Sequence, residues 1–154
     1  MLSLSEIAEK YKISMIYLFG SQAEAGKKYI DGEDVSVEPY SDLDIAVYFE
    51  EIPPATILTY GELYRDFAIL FEPFEIDLVF MHEQDSLFQY EIIKGIRIYA
   101  KNEEFADEYE DLIMKKAADL AYKQKEFIKD ILEAIENGYF QFEYKAEENI
   151  KEKI

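Results

Sequence analysis

The stretch Ser41-Asp42-Leu43-Asp44-Ile45-Ala46-Val47-Tyr48-Phe49 alternates with a period of two. Leu43, Ile45, Val47 and Phe49 fall on one face of a strand, and Asp42, Asp44, Ala46 and Tyr48 on the other. One face is thereby assigned to a core, while the other carries two acids. Aspartates two positions apart on a strand stand on the same side, roughly 7 Å apart by the strand rise. A hydrated sheet edge would hold such a pair equally well, so its meaning depends on the elements around it.

Upstream, Met15 to Phe19 is a compact apolar run that stops at Gly20-Ser21, as a buried strand does at a tight turn. Gln22 to Ala25 starts a helix, and the polar stretch from Gly26 to Ser41 reads as a long loop. Before these, Ser3-Leu4-Ser5-Glu6 fits a capping box that opens a short amphipathic helix over residues 3–12. Downstream, Pro53-Pro54 suits the first turn of a helix running to about Phe71, with Ile57, Leu58, Leu63, Phe67, Leu70 and Phe71 as its apolar stripe. Glu75 to Met81 alternates again, placing Ile76, Leu78 and Phe80 opposite Glu75, Asp77 and Val79. A short helix carrying Leu87, Tyr90, Glu91 and Lys94 ends at Gly95, and Ile96 to Ala100 forms a last strand.

Residues 103–137 keep helical spacing of apolar residues, without proline or glycine until Gly138. Unbroken, that span would reach roughly 50 Å, more than one small domain needs for its own core. It therefore either folds back as a hairpin or offers part of its length to a partner. The tail then alternates aromatic and polar residues at Phe140, Phe142 and Tyr144. The expected architecture is α/β: a small mixed sheet with helices on one face, forming a core over 1–101, followed by a C-terminal helical extension over 102–154 that packs on the core or on a partner.

The composition narrows the chemistry. The chain has 154 residues, 49% of them hydrophobic, which suffices for one domain with a real core. With 34 acidic residues against 16 basic ones, its net charge of −18 repels nucleic-acid phosphates and anionic lipid alike. Neither direct nucleic-acid binding nor membrane association is expected, and an anionic substrate would have to arrive with a cation. There is no cysteine and a single histidine, His82, so thiolate nucleophiles and multi-histidine metal cages are excluded. No run approaches a membrane span and the N-terminus lacks a leader pattern, so a cytoplasmic protein is expected.

Carboxylates on rigid strands suit a hard divalent cation, which takes oxygen ligands and keeps water sites for a phosphate. Asp42, Asp44 and Asp77 are the candidates, and an earlier strand ends in Gly20-Ser21. Gly20 would allow close backbone approach to a phosphate, and Ser21 would donate a hydrogen bond to it.

Together, Gly20-Ser21-Gln22-Ala23, Ser41-Asp42-Leu43-Asp44-Ile45-Ala46-Val47 and Ile76-Asp77-Leu78-Val79 resemble the motifs of the nucleotidyltransferase (DNA polymerase beta-like) superfamily. They are most similar to its minimal MNT-type members, the antitoxin partners of HEPN ribonucleases. The likeness spans about residues 3–101 and includes the closing pattern Tyr90-Glu91-Ile92-Ile93-Lys94-Gly95 with Ile98-Tyr99. Two features depart from the family pattern: fourteen residues separate Gly26 from Ser41, and Glu24 stands where a basic residue is common.

The resemblance implies a nucleotidyltransferase fold, ATP as nucleotide substrate and Mg2+, or Mn2+ in its place, as cofactor. It implies that Asp42, Asp44 and Asp77 are the catalytic and metal-binding residues, with Asp77 accepting the proton of an attacking hydroxyl. Gly20, Ser21 and Ser41 would hold the nucleotide. It further implies that the acceptor is a tyrosine of a partner HEPN toxin, whose AMPylation makes this chain an antitoxin, in a homo- or hetero-oligomer. Two alternatives stand beside that expectation. One is a binding module that silences its partner by occlusion, and the other is a small-molecule transferase of the aminoglycoside-modifying kind. Among the remaining polar residues, His82 reads as a surface or capping histidine, Lys27 and Lys28 as a solvated pair, and Arg65, Lys94 and Arg97 as the basic residues available to a triphosphate.

Overall fold

The computed structural model describes residues 1–38 and 41–138. Helix α1, Leu4–Lys10, opens with the expected capping box: the Ser3 hydroxyl accepts from the Glu6 amide, and the Glu6 carboxylate accepts from the Ser3 amide. Strand β1 (Ile13–Phe19), helix α2 (Ala23–Ile30) and strand β2 (Leu43–Phe49) follow. Helix α3 (Thr56–Leu70) then leads to strand β3 (Ile76–Phe80), and a single 3-10 turn at Met81–Glu83 precedes helix α4 (Ser86–Ile93). Strand β4 (Ile96–Ala100) and helix α5 (Glu103–Glu136) complete the described chain. No helix among the described residues is long and apolar enough to cross a membrane.

The four strands form one mixed sheet in the order β3-β2-β1-β4. β1 runs antiparallel to both neighbours, whereas β3 lies parallel to β2. A parallel pair needs a crossover, and α3 supplies it between β2 and β3. This topology fixes which strand ends meet. Antiparallel pairing sets Phe19, at the end of β1, opposite Asp44 near the start of β2. Parallel pairing sets Asp77, near the start of β3, opposite Asp44 as well. The Gly20 turn and the two aspartates therefore share one end of the sheet.

The chain forms two compact units, Met1–Lys115 and Lys116–Ile154. The first contains the sheet, with a core on each of its faces. On one face Ile16, Leu18, Leu43, Ile45 and Val47 pack with Ile7 of α1, Ala23 of α2 and Leu63 and Phe67 of α3. Full burial of a side chain such as Phe67 or Phe71 stabilises by roughly 1.5–3 kcal/mol. On the other face Met15, Tyr17 and Ala46 pack with Ile92 and Ile93 of α4 and with Ala106 and Ile113 of α5. The acid-bearing face of β2 is thus also a core from Ala46 onward, because α4 and the first turns of the C-terminal extension cover it. In the second unit, the described residues are those of α5 from Lys116 and the two that follow it.

Two sequence readings change. The stretch after Gly26 is not loop from its start, since α2 continues to Ile30. Gly26 is buried within that helix, and a Cβ there would press on Leu43 and Leu18, so this glycine permits the helix to lie close on the sheet. Ile57 and Leu58 do not belong to the apolar stripe of α3, being 91% and 64% exposed. Extended backward from Leu63 and Phe67 at helical spacing, the stripe passes through Tyr60, Thr59 and Thr56 instead. Of the two courses the sequence leaves open for residues 103–137, the chain does not take the hairpin: α5 is one continuous helix of 34 residues. The aromatic tail at Phe140, Phe142 and Tyr144 lies outside the described residues.

Candidate functional site

At the shared end of the sheet, Asp44 is the half-buried member and Asp42 and Asp77 are exposed. Burial, followed by the negative charges of Asp77 and Asp42, pushes the Asp44 carboxyl up from 3.8 to about 6, and hydrogen bonding to Asp77 raises it further. Gly20 caps this arrangement. Its φ of +74° lies in the left-handed region, and a Cβ placed on it would collide with Asp44 Oδ2. The glycine therefore has two jobs: it turns the chain after β1 and leaves room for the aspartate.

Gly95 also permits a close approach, here of backbone to backbone. A Cβ there would strike the Leu18 carbonyl oxygen and the Phe19 backbone, so the junction of α4 and β4 lies directly against the end of β1. Ser21, exposed just after Gly20, borders a cavity of about 380 Å³ lined also by Gln22, Lys28 and Ser36. Ser41 is half-buried one residue before Asp42.

Sequence reading missed two residues here. Gln22 is buried, 3% exposed, and its Nε2 has no hydrogen-bond partner among the described residues. Tyr60 of α3 stacks near Tyr64 and packs edge-on against Phe80. Burial and then the charge of Asp77 raise the Tyr60 hydroxyl above the usual tyrosine value. Only the stripe of α3 traced back from Leu63 could have pointed to Tyr60, and nothing in the sequence marks Gln22 as buried.

The basic residues are largely engaged elsewhere. Arg97 binds Glu103 at 2.8 Å, Asp107 at 2.9 Å and also Glu110, so it serves α5 rather than a phosphate. Lys94 pairs with Glu91 at 2.8 Å and Lys27 with Asp31 at 2.9 Å, while Arg65 stands exposed on α3. His82 packs its ring against Phe80 and Phe49, in the aromatic core rather than among the acids.

No group of three acidic or histidine side chains among the described residues is gathered at metal-ligand spacing. The donors nonetheless fit a hard divalent ion chemically. They are oxygen ligands only, Asp44 carries an unfavourable charge that a cation would relieve, and Gly20 leaves open the space beside its Oδ2.

The family model described as "Polymerase beta, Nucleotidyltransferase" matches residues 3–104. No curated protein matches the chain. Among solved structures, the chain is similar to one of a tri-AMPylated Shewanella oneidensis HEPN toxin in complex with MNT antitoxin. That match has 17% identity and a TM-score of 0.56, and covers 84% of this chain and 92% of the other. A toxin-antitoxin structure with AMP-PNP matches at 16% identity and a TM-score of 0.60, covering 84% and 96%. An MntA-HepT toxin-antitoxin structure matches at 16% identity and a TM-score of 0.56, covering 84% and 93%. At these identities the likeness is one of fold. The chain belongs to the polymerase beta nucleotidyltransferase family.

Proposed function

We propose that this chain is a Mg2+-dependent nucleotidyltransferase that moves AMP from ATP to a tyrosine of a HEPN-type partner and acts as its antitoxin. The observation that carries the reading is the meeting of Asp44 with Asp77 beneath the Gly20 turn. Two similar structures support the nucleotide and the acceptor, one holding AMP-PNP and the other a tri-AMPylated HEPN toxin.

Asp42, Asp44 and Asp77 would hold the cation, which when bound supplies neutralisation of phosphate charge. Gly20 and Ser21 would lie against the phosphates, the first through its bare backbone and the second through its hydroxyl, with Ser41 beside them. The acceptor hydroxyl attacks the α-phosphorus as its proton passes to the Asp77 carboxylate. The bond from the α-phosphorus to the bridging oxygen breaks and pyrophosphate leaves. Asp77 is exposed, so a hydroxyl carried on another protein can reach it. Positioning and charge carry such a reaction, consistent with a chain that has no cysteine.

The test is incubation of the purified chain with Mg2+, labelled ATP and the product of the adjacent gene, followed by intact mass of both proteins. A gain of AMP on the partner supports transfer. A stable complex without gain rejects it in favour of inhibition by occlusion, and neither result sends the search to small-molecule acceptors.

A further inference from the structure

Strand register puts an aromatic ring beside the aspartate rung. Phe19, the last residue of β1, is the cross-strand partner of Asp44, so their side chains stand on the same face of the sheet with Cβ atoms about 5 Å apart. Phe19 accordingly packs with the core on that face, alongside Tyr17 and Ala46, and is itself only partly buried. α4 crosses this face and lays Phe88 edge-on against Phe19, with ring centroids 5.9 Å apart and planes at 83°. The row across the sheet therefore runs from Asp77 through Asp44 to Phe19, and Phe88 adjoins its end.

Phe88 is held in that place by its own helix. Asp85 accepts from the Phe88 amide at 2.8 Å and fixes the first turn of α4, while Ile92, one turn on along the same stripe, is fully buried. Phe88 nonetheless stays 38% exposed. An edge-on pair leaves at least one of its two rings with a face its partner does not cover, and a planar heterocycle stacks on such a face. The step from the Asp44 carboxylate across Phe19 to Phe88 is no longer than a nucleoside, so a phosphate at the aspartates brings its base to this ring. A base carries no charge, so its affinity is not opposed by the chain's net charge of −18.

We propose that Phe88, backed by Phe19, is the stacking platform for the nucleobase of the nucleotide whose phosphates meet Asp42, Asp44 and Asp77. The inference rests on the nucleotidyltransferase reading and adds to it the residue that holds the base. Stacking reads a ring face, which every base has, so the platform supplies affinity and leaves the choice among bases to contacts at their edges.

The full chain has no tryptophan, so Phe88→Trp places a single indole at the platform. Its fluorescence should be quenched by ATP with Mg2+ and left unchanged by inorganic tripolyphosphate with Mg2+, which has the phosphates without the base. In calorimetry, Phe88→Leu should weaken ATP binding about tenfold and tripolyphosphate binding by less than about twofold, since leucine keeps the apolar contact with Phe19 but offers no ring face. Phe88→Tyr should bind ATP like the parent. Where the parent binds both ligands, an equal loss of both in Phe88→Leu, an unchanged ATP affinity in that variant, or an indole indifferent to ATP would overturn the platform alone. A parent chain that binds neither ligand would overturn the nucleotidyltransferase reading, and the platform with it.

Discussion

Asp44 and Asp77 are partners on the same rung of the parallel β2–β3 ladder. Two carboxylates so placed repel each other, and Asp44 is also half-buried, so its charged form is disfavoured unless a cation joins it. The rung exists because α3 returns the chain parallel to β2 with Leu43 opposite Ile76. A shift of the register by one residue would put Asp77 on the other face of the sheet. The apolar partners Ile45–Leu78 and Val47–Phe80 oppose that shift, since all four are buried in the core on the opposite face.

Replacing Asp42 and Asp44 together with alanine should abolish transfer, by about a thousandfold or more, because substrate phosphate would lose its counter-ion site. The fold should persist, since the substitutions remove like charges rather than core contacts. Intact mass of the acceptor together with far-UV circular dichroism checks both halves. Wild-type transfer in this variant would exclude the site.

The raised carboxyl of Asp44 predicts a pH dependence. Its value is about 6 in the folded chain against 3.8 for the ordinary group, so the folded state holds the proton more tightly. The resulting stabilisation is fully present below 3.8 and is lost as pH rises through about 6. Metal-free Asp44→Asn should therefore be more stable than the parent above pH 6, by roughly 1–2 kcal/mol after allowance for solvent screening, and no more stable near pH 3. Thermal melts at a series of pH values measure this. Affinity for a divalent cation should fall in the opposite direction, weakening as pH drops below 6.

β2 was legible because its alternation is strict and its ends are polar, and the capping box of α1 was legible because it is local. The rung shared by Asp44 and Asp77 was not, since strand register depends on a crossover helix and not on either strand alone. Gly26-Lys27-Lys28 reads as loop by composition, yet the glycine serves packing against Leu43 and Leu18. The continuity of α5 also escaped the sequence, because helical spacing is the same in a hairpin as in a straight helix. Tyr60 came near Asp77 only through the packing of α3 beside β3.

Gly20→Ala should lose activity more than stability. The left-handed φ of +74° costs an alanine roughly 1–2 kcal/mol, which a melt would register as a modest drop in Tm. The new methyl also displaces the Asp44 carboxylate, because Cβ and Oδ2 cannot share that space. Transfer should fall about a hundredfold, as expected when a reacting group is misplaced by about 1 Å. Equal losses in Gly20→Ala and in Gly32→Ala, where φ is +88° with open space around the site, would assign the whole effect to backbone strain.

Arg97→Met separates the role of this arginine from phosphate binding. Its guanidinium joins Glu103, Asp107 and Glu110 on successive turns of α5, and Glu110 also accepts from the Tyr17 hydroxyl at 3.1 Å. Methionine retains much of the aliphatic stem but leaves three carboxylates to repel one another at the start of the helix. The expected cost is about 1–3 kcal/mol, with faster hydrogen exchange over residues 103–111 and slower change at β2 and β3. The KM for ATP should stay within about twofold, because no part of the arginine's hydrogen bonding points to the aspartate rung. A tenfold rise in KM without the exchange effect would return Arg97 to the nucleotide.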